Sequence, residues 1–80
     1  GRMESALAAF EELAGSVNPY RTAALVELAK HYEHRKRDFS KALEYAERAL
    51  DLEDSPALRG RAERLRRRLA KFNTGRLIAE

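Results

Sequence analysis

Residues 25–52 contain neither glycine nor proline, and their apolar pattern sets a strong limit on the fold. Apolar residues recur at helical spacing as far as Tyr32, but the continuation of that stripe meets Arg35 and Lys36, which are poor core residues. The pattern restarts in a new phase at Phe39. The stretch therefore predicts two antiparallel helices joined by a tight turn just after Lys36.

Capping residues divide the rest of the chain. Asn18-Pro19 and Ser55-Pro56 each place a capping side chain before a proline, and proline at the first helical position gives up no hydrogen bond. Asp38 is placed to cap the helix that begins after the turn. Good helix formers dominate the composition, and no alternating strand pattern is present. The prediction is an all-α fold with four helices, at about residues 4–14, 19–36, 38–53 and 56–72.

Length and composition indicate one small domain. A chain of 80 residues buries little surface, so its stability is marginal without staples or partners. The chain has no cysteine, which excludes disulfides and cysteine-based metal sites and, with the lack of a long apolar run, predicts a cytoplasmic protein. We expect a helical domain over residues 4–75, ended by Asn73 and Gly75, and a flexible tail over residues 76–80. Residues 1–3 are typical of a cloning remnant.

Small and aromatic residues recur at set positions in the central helix pair. The positions are Leu25, Leu28, Ala29 and Tyr32 in the first helix and Ala42, Ala46 and Ala49 in the second. In this arrangement the chain resembles the tetratricopeptide repeat (TPR) family, with one extra residue in the turn and a late closing proline at Pro56. The resemblance implies a short antiparallel helical array, with one full repeat over residues 20–53 and a half repeat on each side. It also implies a non-catalytic protein-protein interaction module that is a piece of a larger protein.

In TPR arrays the first helix of each repeat lines a groove that takes up peptides. The resemblance places five residues of this chain on that face: Thr22, Val26, Lys30, Glu33 and Arg37. The partner it implies is a protein, a peptide or another subunit. The alternative interpretation is an ordinary solvated face, because mixed charges at i,i+4 spacing occur on any exposed helix.

Charge is unevenly distributed along the chain. Residues 1–57 carry eight basic and eleven acidic side chains, a net of −3, whereas residues 58–80 carry eight and two, a net of +6. The basic residues of the fourth helix are Arg59, Arg61, Arg64, Arg66, Arg67, Arg68 and Lys71. Such a helix could neutralise nucleic-acid phosphates or meet an acidic partner. The alternative is a capping helix whose arginine stems cover apolar neighbours and whose guanidinium groups pair with the acidic body.

The segment ELAKHYEHRKRDFSKALEYAERAL supports a narrower resemblance. It is similar to the helical C-terminal region that follows the nuclease domain in bacterial RNase H-like exonuclease proteins. This resemblance implies a non-catalytic accessory segment that contacts nucleic acid through residues 56–72. The metal-binding carboxylates of such a nuclease would then lie on a domain outside this sequence.

Catalytic and metal-binding patterns are weak. Glu27, His31 and His34 have the spacing to share a helix face, but no second histidine motif accompanies them, and a surface or packing role is the favoured interpretation. The chain has no glycine-framed nucleophile and no glycine-rich phosphate loop. We therefore expect a protein that is not an enzyme and that uses no cofactor and no metal.

Overall fold

Four helices in sequence order make up the protein. The computed structural model describes the backbone of residues 2–79 and the side chains of residues 2–71. The helices are α1 Arg2–Ala14, α2 Arg21–His34, α3 Phe39–Leu52 and α4 Pro56–Ala79. Between residues 2 and 79 there is no strand, so the predicted all-α fold class is confirmed. None of the helices described is long and apolar enough to cross a lipid bilayer.

Each helix packs mainly on the next one along the chain. The contacts join α1 to α2, α2 to α3, and α3 to α4, across loops of only a few residues. Short loops force consecutive helices to run in opposite directions. Accordingly, Tyr32 near the end of α2 stacks on Tyr45 of α3, with ring centroids 5.6 Å apart. Helix α3 lies between α2 and α4 in sequence and touches both.

The core is built from alanines and leucines that meet at these interfaces. One cluster joins Ala29 of α2 to Ala42 and Ala46 of α3 and to Ala62 and Leu65 of α4, and all five are fully buried. Alanine carries no side chain beyond Cβ, so it lets helix backbones approach closely. A second cluster, around Leu25 and Leu28, connects the same helices to the end of α1. The small residues read from the sequence therefore lie where the helices touch.

Two of the predicted helix caps are confirmed. The Asp38 carboxylate accepts a hydrogen bond from the Lys41 backbone N–H at 3.1 Å, at the start of α3. The Ser55 hydroxyl oxygen accepts one from the Leu58 N–H, also at 3.1 Å, and Pro56 is the first residue of α4. Each side chain satisfies a backbone donor that has no partner inside its helix.

The predicted start of α2 is wrong by two residues. Helix α2 begins at Arg21, and Asn18 lies in the preceding turn, where its side-chain oxygen accepts from the Tyr20 N–H at 2.8 Å. The Asn18 amide donates to the Leu13 carbonyl at 2.9 Å, which is one of the unpaired acceptors at the end of α1. The asparagine side chain is thus occupied in closing the turn, as asparagine commonly does, and not in capping α2.

The turn between α2 and α3 lies where the sequence predicts it, although α2 ends at His34 and not at residue 36. The Asp38 N–H donates to the Tyr32 carbonyl at 2.8 Å and closes the turn. Arg37 has a φ of 55°, a left-handed conformation that non-glycine residues rarely adopt. The sharp reversal therefore carries a local conformational cost.

Helices α1 and α4 are both longer than predicted. Arg2 and Met3, assigned from sequence to a cloning remnant, belong to α1, whereas Gly1 lies outside the described residues. The backbone of α4 continues through Asn73 and Gly75 to Ala79, so the predicted stop at residue 72 is wrong. Asparagine and glycine lower helix propensity without removing a backbone donor as proline does. The predicted tail falls within this helix up to Ala79, and its side chains lie outside the described residues.

Candidate functional site

The side chain that most changes the sequence-based picture is Glu33, near the end of α2. It is 4% exposed and is the one buried charged residue among those described. Its carboxylate accepts a hydrogen bond from Arg61 at 2.9 Å and a two-pronged pair from Arg64, with the shortest contact at 2.7 Å. Planar guanidinium groups match a carboxylate in this geometry. Glu33 therefore links α2 to α4.

The surroundings of Glu33 keep its carboxylate charged. Burial by itself would raise the pKa of Glu33, but the hydrogen bonds and positive charge of Arg64, helped by His34 and Arg61, hold the pKa below its ordinary value. The interaction of Glu33 with Arg61 and Arg64 therefore contributes fully to stability above the ordinary glutamate pKa. That contribution is lost as the pH falls through the lowered pKa of Glu33.

The structure divides the predicted peptide-binding face into two parts. Thr22 and Val26 are half-buried, and Val26 packs against the cluster that includes Leu58 of α4, on the same side of α2 as Glu33. Lys30 and Arg37 are exposed. The exposed strip of α2 consists of Ala23, Glu27, Lys30 and His34. The sequence therefore predicted a different side of α2 to be open, because periodicity does not show where α4 packs.

The predicted basic surface of α4 is largely engaged within the protein. Arg61 and Arg64 bind Glu33, and Arg68 lies 4.9 Å from the Phe39 ring centroid. The outward pairs are Arg59 with Asp54 at 3.3 Å, Arg66 with Glu47 at 2.9 Å and Arg67 with Glu63 at 3.8 Å. Lys71 is exposed. This arrangement matches the capping alternative, in which arginines pair with the acidic body.

An apolar groove runs between α1 and α2. Its wider part has a volume of about 270 Å³ and is walled by Met3, Ala6, Leu7 and Phe10 of α1. The α2 side of this part consists of Glu27, Lys30, His31, His34 and Arg35. A second part, of about 180 Å³, continues past Phe10 and Leu13 to Tyr20 and Ala23. We call these two parts together the α1–α2 groove.

Large apolar side chains are exposed at both ends of the α1–α2 groove. Met3 is 46% exposed at one end and Tyr20 is 65% exposed at the other. Val17, in the loop beside Tyr20, is 95% exposed. The apolar side chains of α1 that line the groove between them, Leu7, Phe10 and Leu13, are only partly buried. Sequence analysis missed the groove, although the alanine-rich composition of α1 was a signal that could have found it.

The histidines of α2 lie in the wall of the α1–α2 groove. The Nε2 atom of His31 is buried and, among the described residues, has no hydrogen-bond partner. His31 packs edge-on against Tyr32, with centroids 5.1 Å apart, which is a packing role for the ring. Within residues 2–71, no group of three or more histidine, aspartate or glutamate side chains could hold a metal ion.

Comparison with known proteins gives one informative match. The chain is 48% identical over 50 residues to the uncharacterized protein YprB of Bacillus subtilis (strain 168). The match covers 61% of this chain and 12% of that protein, so the chain spans about an eighth of its relative's length. No protein-family model matches the chain, and no solved structure matches it significantly.

Proposed function

We propose that this chain is a non-catalytic, TPR-like helical module that binds another protein through the α1–α2 groove. The observation that carries the proposal is the groove itself, which is apolar along its α1 side, open to solvent and flanked by exposed Met3 and Tyr20. Grooves between packed helices accept a further helix by the packing rules that join the helices already present.

The order of packing supports the repeat-like part of this proposal. Successive helices contact their neighbours along the chain, as in arrays whose units stack one on the next. The alanine contacts of Ala29 with Ala42 and Ala46 are those expected for a TPR pair. An array of this kind leaves a terminal helix face open for the next layer, and α1 has such a face.

A second candidate function is accessory nucleic-acid binding through α4. It is favoured by the exposure of Arg59, Arg66 and Arg67, whose side chains are 59%, 53% and 72% exposed. Ion pairs this exposed contribute little, so phosphates could displace the acidic partners. Arg61 and Arg64 would stay with Glu33, which leaves a smaller basic surface than the sequence suggests.

Site-specific photo-crosslinking tests the protein-binding proposal. A photoreactive side chain replaces Lys30 in the wall of the α1–α2 groove, and a matched chain carries it at Glu44, which is exposed on α3. We expect discrete protein adducts from the Lys30 position and none from the Glu44 position. Equal adducts from both, or none from either, would contradict the proposal.

Fluorescence anisotropy with labelled DNA and RNA separates the second candidate from the first. If α4 binds phosphates, affinity should fall steeply with salt and with the combined replacement of Arg66, Arg67 and Lys71 by glutamine. The same variant should leave the Lys30 adducts unchanged. An anisotropy that does not change at low salt would exclude nucleic-acid binding by this chain.

A further inference from the structure

The basic side chains of α4 divide into two groups according to their partners. Three are matched one to one with separate carboxylates, and these pairs are Arg59 with Asp54, Arg66 with Glu47 and Arg67 with Glu63. Arg61 and Arg64 share the single carboxylate of Glu33. Arg68 and Lys71 form no ion pair with any described residue. The excess positive charge of α4 is therefore concentrated in four side chains, which we call the basic flank: Arg61, Arg64, Arg68 and Lys71.

The basic flank follows one side of α4. Its residues are spaced by three, four and three positions, which places them along one face of a helix. From Arg61 to Lys71 the helix rises by about 15 Å. The one acidic residue of α4 between positions 56 and 71 is Glu63, which pairs with Arg67. Helix α4 therefore contributes only positive charge to this face.

Arg37, in the turn between α2 and α3, extends the basic flank. Its guanidinium carbon lies 5.2 Å from the centroid of the Phe39 ring, and that of Arg68 lies 4.9 Å from the same centroid. Arg37 is exposed and keeps a left-handed backbone with a φ of 55°, a strain of the kind that clusters at functional sites. The adjacent Asp38 carboxylate is engaged in capping α3. The Phe39 ring thus brings a cation of the turn beside one of α4.

Arg64 keeps one edge of its guanidinium free of protein partners. Its Nε and Nη2 atoms donate to the Glu33 carboxylate at 3.1 Å and 2.7 Å, whereas its Nη1 atom donates to none of the described residues. The Arg64 side chain is 45% exposed. Because the guanidinium is planar and rigid, Glu33 fixes the direction of the free edge by holding the other one. An anion that meets this edge finds its donors already oriented, which lowers the entropy cost of binding.

We propose that the basic flank, together with Arg37, binds the phosphate backbone of a nucleic acid. This inference rests on the second candidate function, because it names the side of α4 that meets the phosphates. Arg64 stays with Glu33 and uses its free edge. The phosphates lie along the side of α4 that carries excess charge, and the one-to-one pairs of Arg59 and Arg66 stay intact.

The chemistry of the basic flank favours phosphates over an acidic protein surface. The centre of a protein-protein interface is usually apolar. On this surface the Phe39 ring is half-buried and lies against two guanidinium groups. Binding to a nucleic-acid backbone needs charge alone, and one strand of a duplex carries roughly four phosphates over about 15 Å. That number is close to the number of cations on the flank.

Fluorescence anisotropy with a labelled single strand and a labelled duplex of mixed sequence tests the inference. Replacing Arg37 and Arg68 together by glutamine should weaken binding by at least about tenfold and lower the slope of log affinity against log salt by about two. The control replaces Lys41 and Arg48, which lie 5.0 Å and 5.5 Å from the ring centroids of two tyrosines. It removes the same charge and the same kind of ring contact, and it should change affinity by less than about twofold.

A second variant tests the free edge of Arg64. Arg64→Lys keeps the charge but lacks the planar fork that can hold Glu33 and a phosphate at once. Affinity should fall by at least about threefold, while the salt slope stays the same because the number of charges is unchanged. Arg48→Lys is the control and should change neither quantity. Circular dichroism verifies that each variant keeps its helical fold. An unchanged affinity of Arg64→Lys would overturn the role of the free edge.

The remaining outcomes separate this inference from the second candidate function. Equal losses from the Arg37 and Arg68 replacement and from its control would overturn the inference, since binding would then follow net charge. A larger loss on replacing Arg59 and Arg66 by glutamine would overturn it too, but would leave nucleic-acid binding by α4 standing.

Two results with the wild-type chain would also overturn the inference. Labelled poly-glutamate that binds as tightly as the oligonucleotides would identify an acidic protein as the partner instead. Absence of any oligonucleotide binding at low salt would overturn the inference and the second candidate function together.

Discussion

Helix α2 is joined to α3 and to α4 by contacts of different chemistry. Against α3 it presents Ala29, which packs on two alanines with no exposed surface. Towards α4 it presents the carboxylate of Glu33, which lies between Arg61 and Arg64. The first contact depends on the small volume of its side chains, whereas the second adds the pairing of buried charges to the apolar clusters that α2 shares with α4.

This difference has consequences for what each contact tolerates. The α2–α3 contact excludes any side chain larger than alanine, because the two helices approach closely there and leave no space. The α2–α4 contact is formed by long side chains that reach across a wider gap, so it tolerates changes of volume better than the loss of a charge.

Ala46→Leu should destabilise the protein most. Ala46 is fully buried against Ala29, so leucine would push α2 and α3 apart at a cost of about 3 kcal/mol in the free energy of unfolding. Chemical denaturation measures the change. The control is Ala57→Leu, at an exposed position of α4, where a change within about 0.5 kcal/mol is expected. Equal effects at both positions would show that the α2–α3 contact is not size-limited.

Glu33→Gln should cost about 2 kcal/mol at neutral pH, because two guanidinium groups lose their carboxylate, although Arg64 remains 45% exposed and partly hydrated. Because the pKa of Glu33 is lowered, the wild-type protein should be more stable than the variant above the ordinary glutamate pKa. This difference in stability should disappear as the pH falls through the lowered pKa. Urea denaturation of both proteins across acidic and neutral pH should show the two stabilities converging in acid. A difference that does not vary with pH would indicate that the charge of Glu33 is not responsible.

The turn between α2 and α3 gives a third prediction. Arg37→Gly should leave the protein about 1 kcal/mol more stable than Arg37→Ala, since alanine retains the penalty of a left-handed φ and glycine does not. Both variants lose the contact of the Arg37 guanidinium with the Phe39 ring at 5.2 Å, so their difference isolates the backbone effect. Thermal denaturation of the pair measures it, and equal stabilities would contradict the strained turn.

Glu47→Gln should have the smallest effect, within about 0.5 kcal/mol, because Glu47 and its partner Arg66 are both about half exposed. It removes the same carboxylate charge as Glu33→Gln does, between α3 and α4 instead of α2 and α4. Comparing the two glutamine variants by denaturation therefore separates burial from charge. A loss of stability close to that of Glu33→Gln would show that exposed ion pairs also stabilise the packing of α4.

Most of the fold was predictable because its signals are local. The apolar phases on either side of the turn, the Asp38 and Ser55 caps and the spacing of the alanines within α3 each depend on residues a few positions apart. The errors also have local causes. Asn18 can cap the next helix or close the previous one, and the residues near the end of α4 weaken a helix without stopping it.

The candidate sites were less predictable. Lys30 was identified, and the structure places it in the wall of the α1–α2 groove, but the predicted face around it included Glu33. Helical periodicity gives the angle of each residue around its own axis and does not say which side a later helix will cover. For the same reason Arg61 and Arg64 looked available for an external partner.

The presence of four helices, the Asp38 and Ser55 caps and the alanine positions of α2 and α3 follow from the amino-acid sequence, since periodicity and capping act over one or two turns. The pairing of Glu33 with arginines 28 and 31 residues away, and the apolar groove between α1 and α2, appear only once the helices have packed. Both depend on how whole helices sit against one another. That arrangement results from all the packed side chains together and is not encoded in any short stretch of the chain.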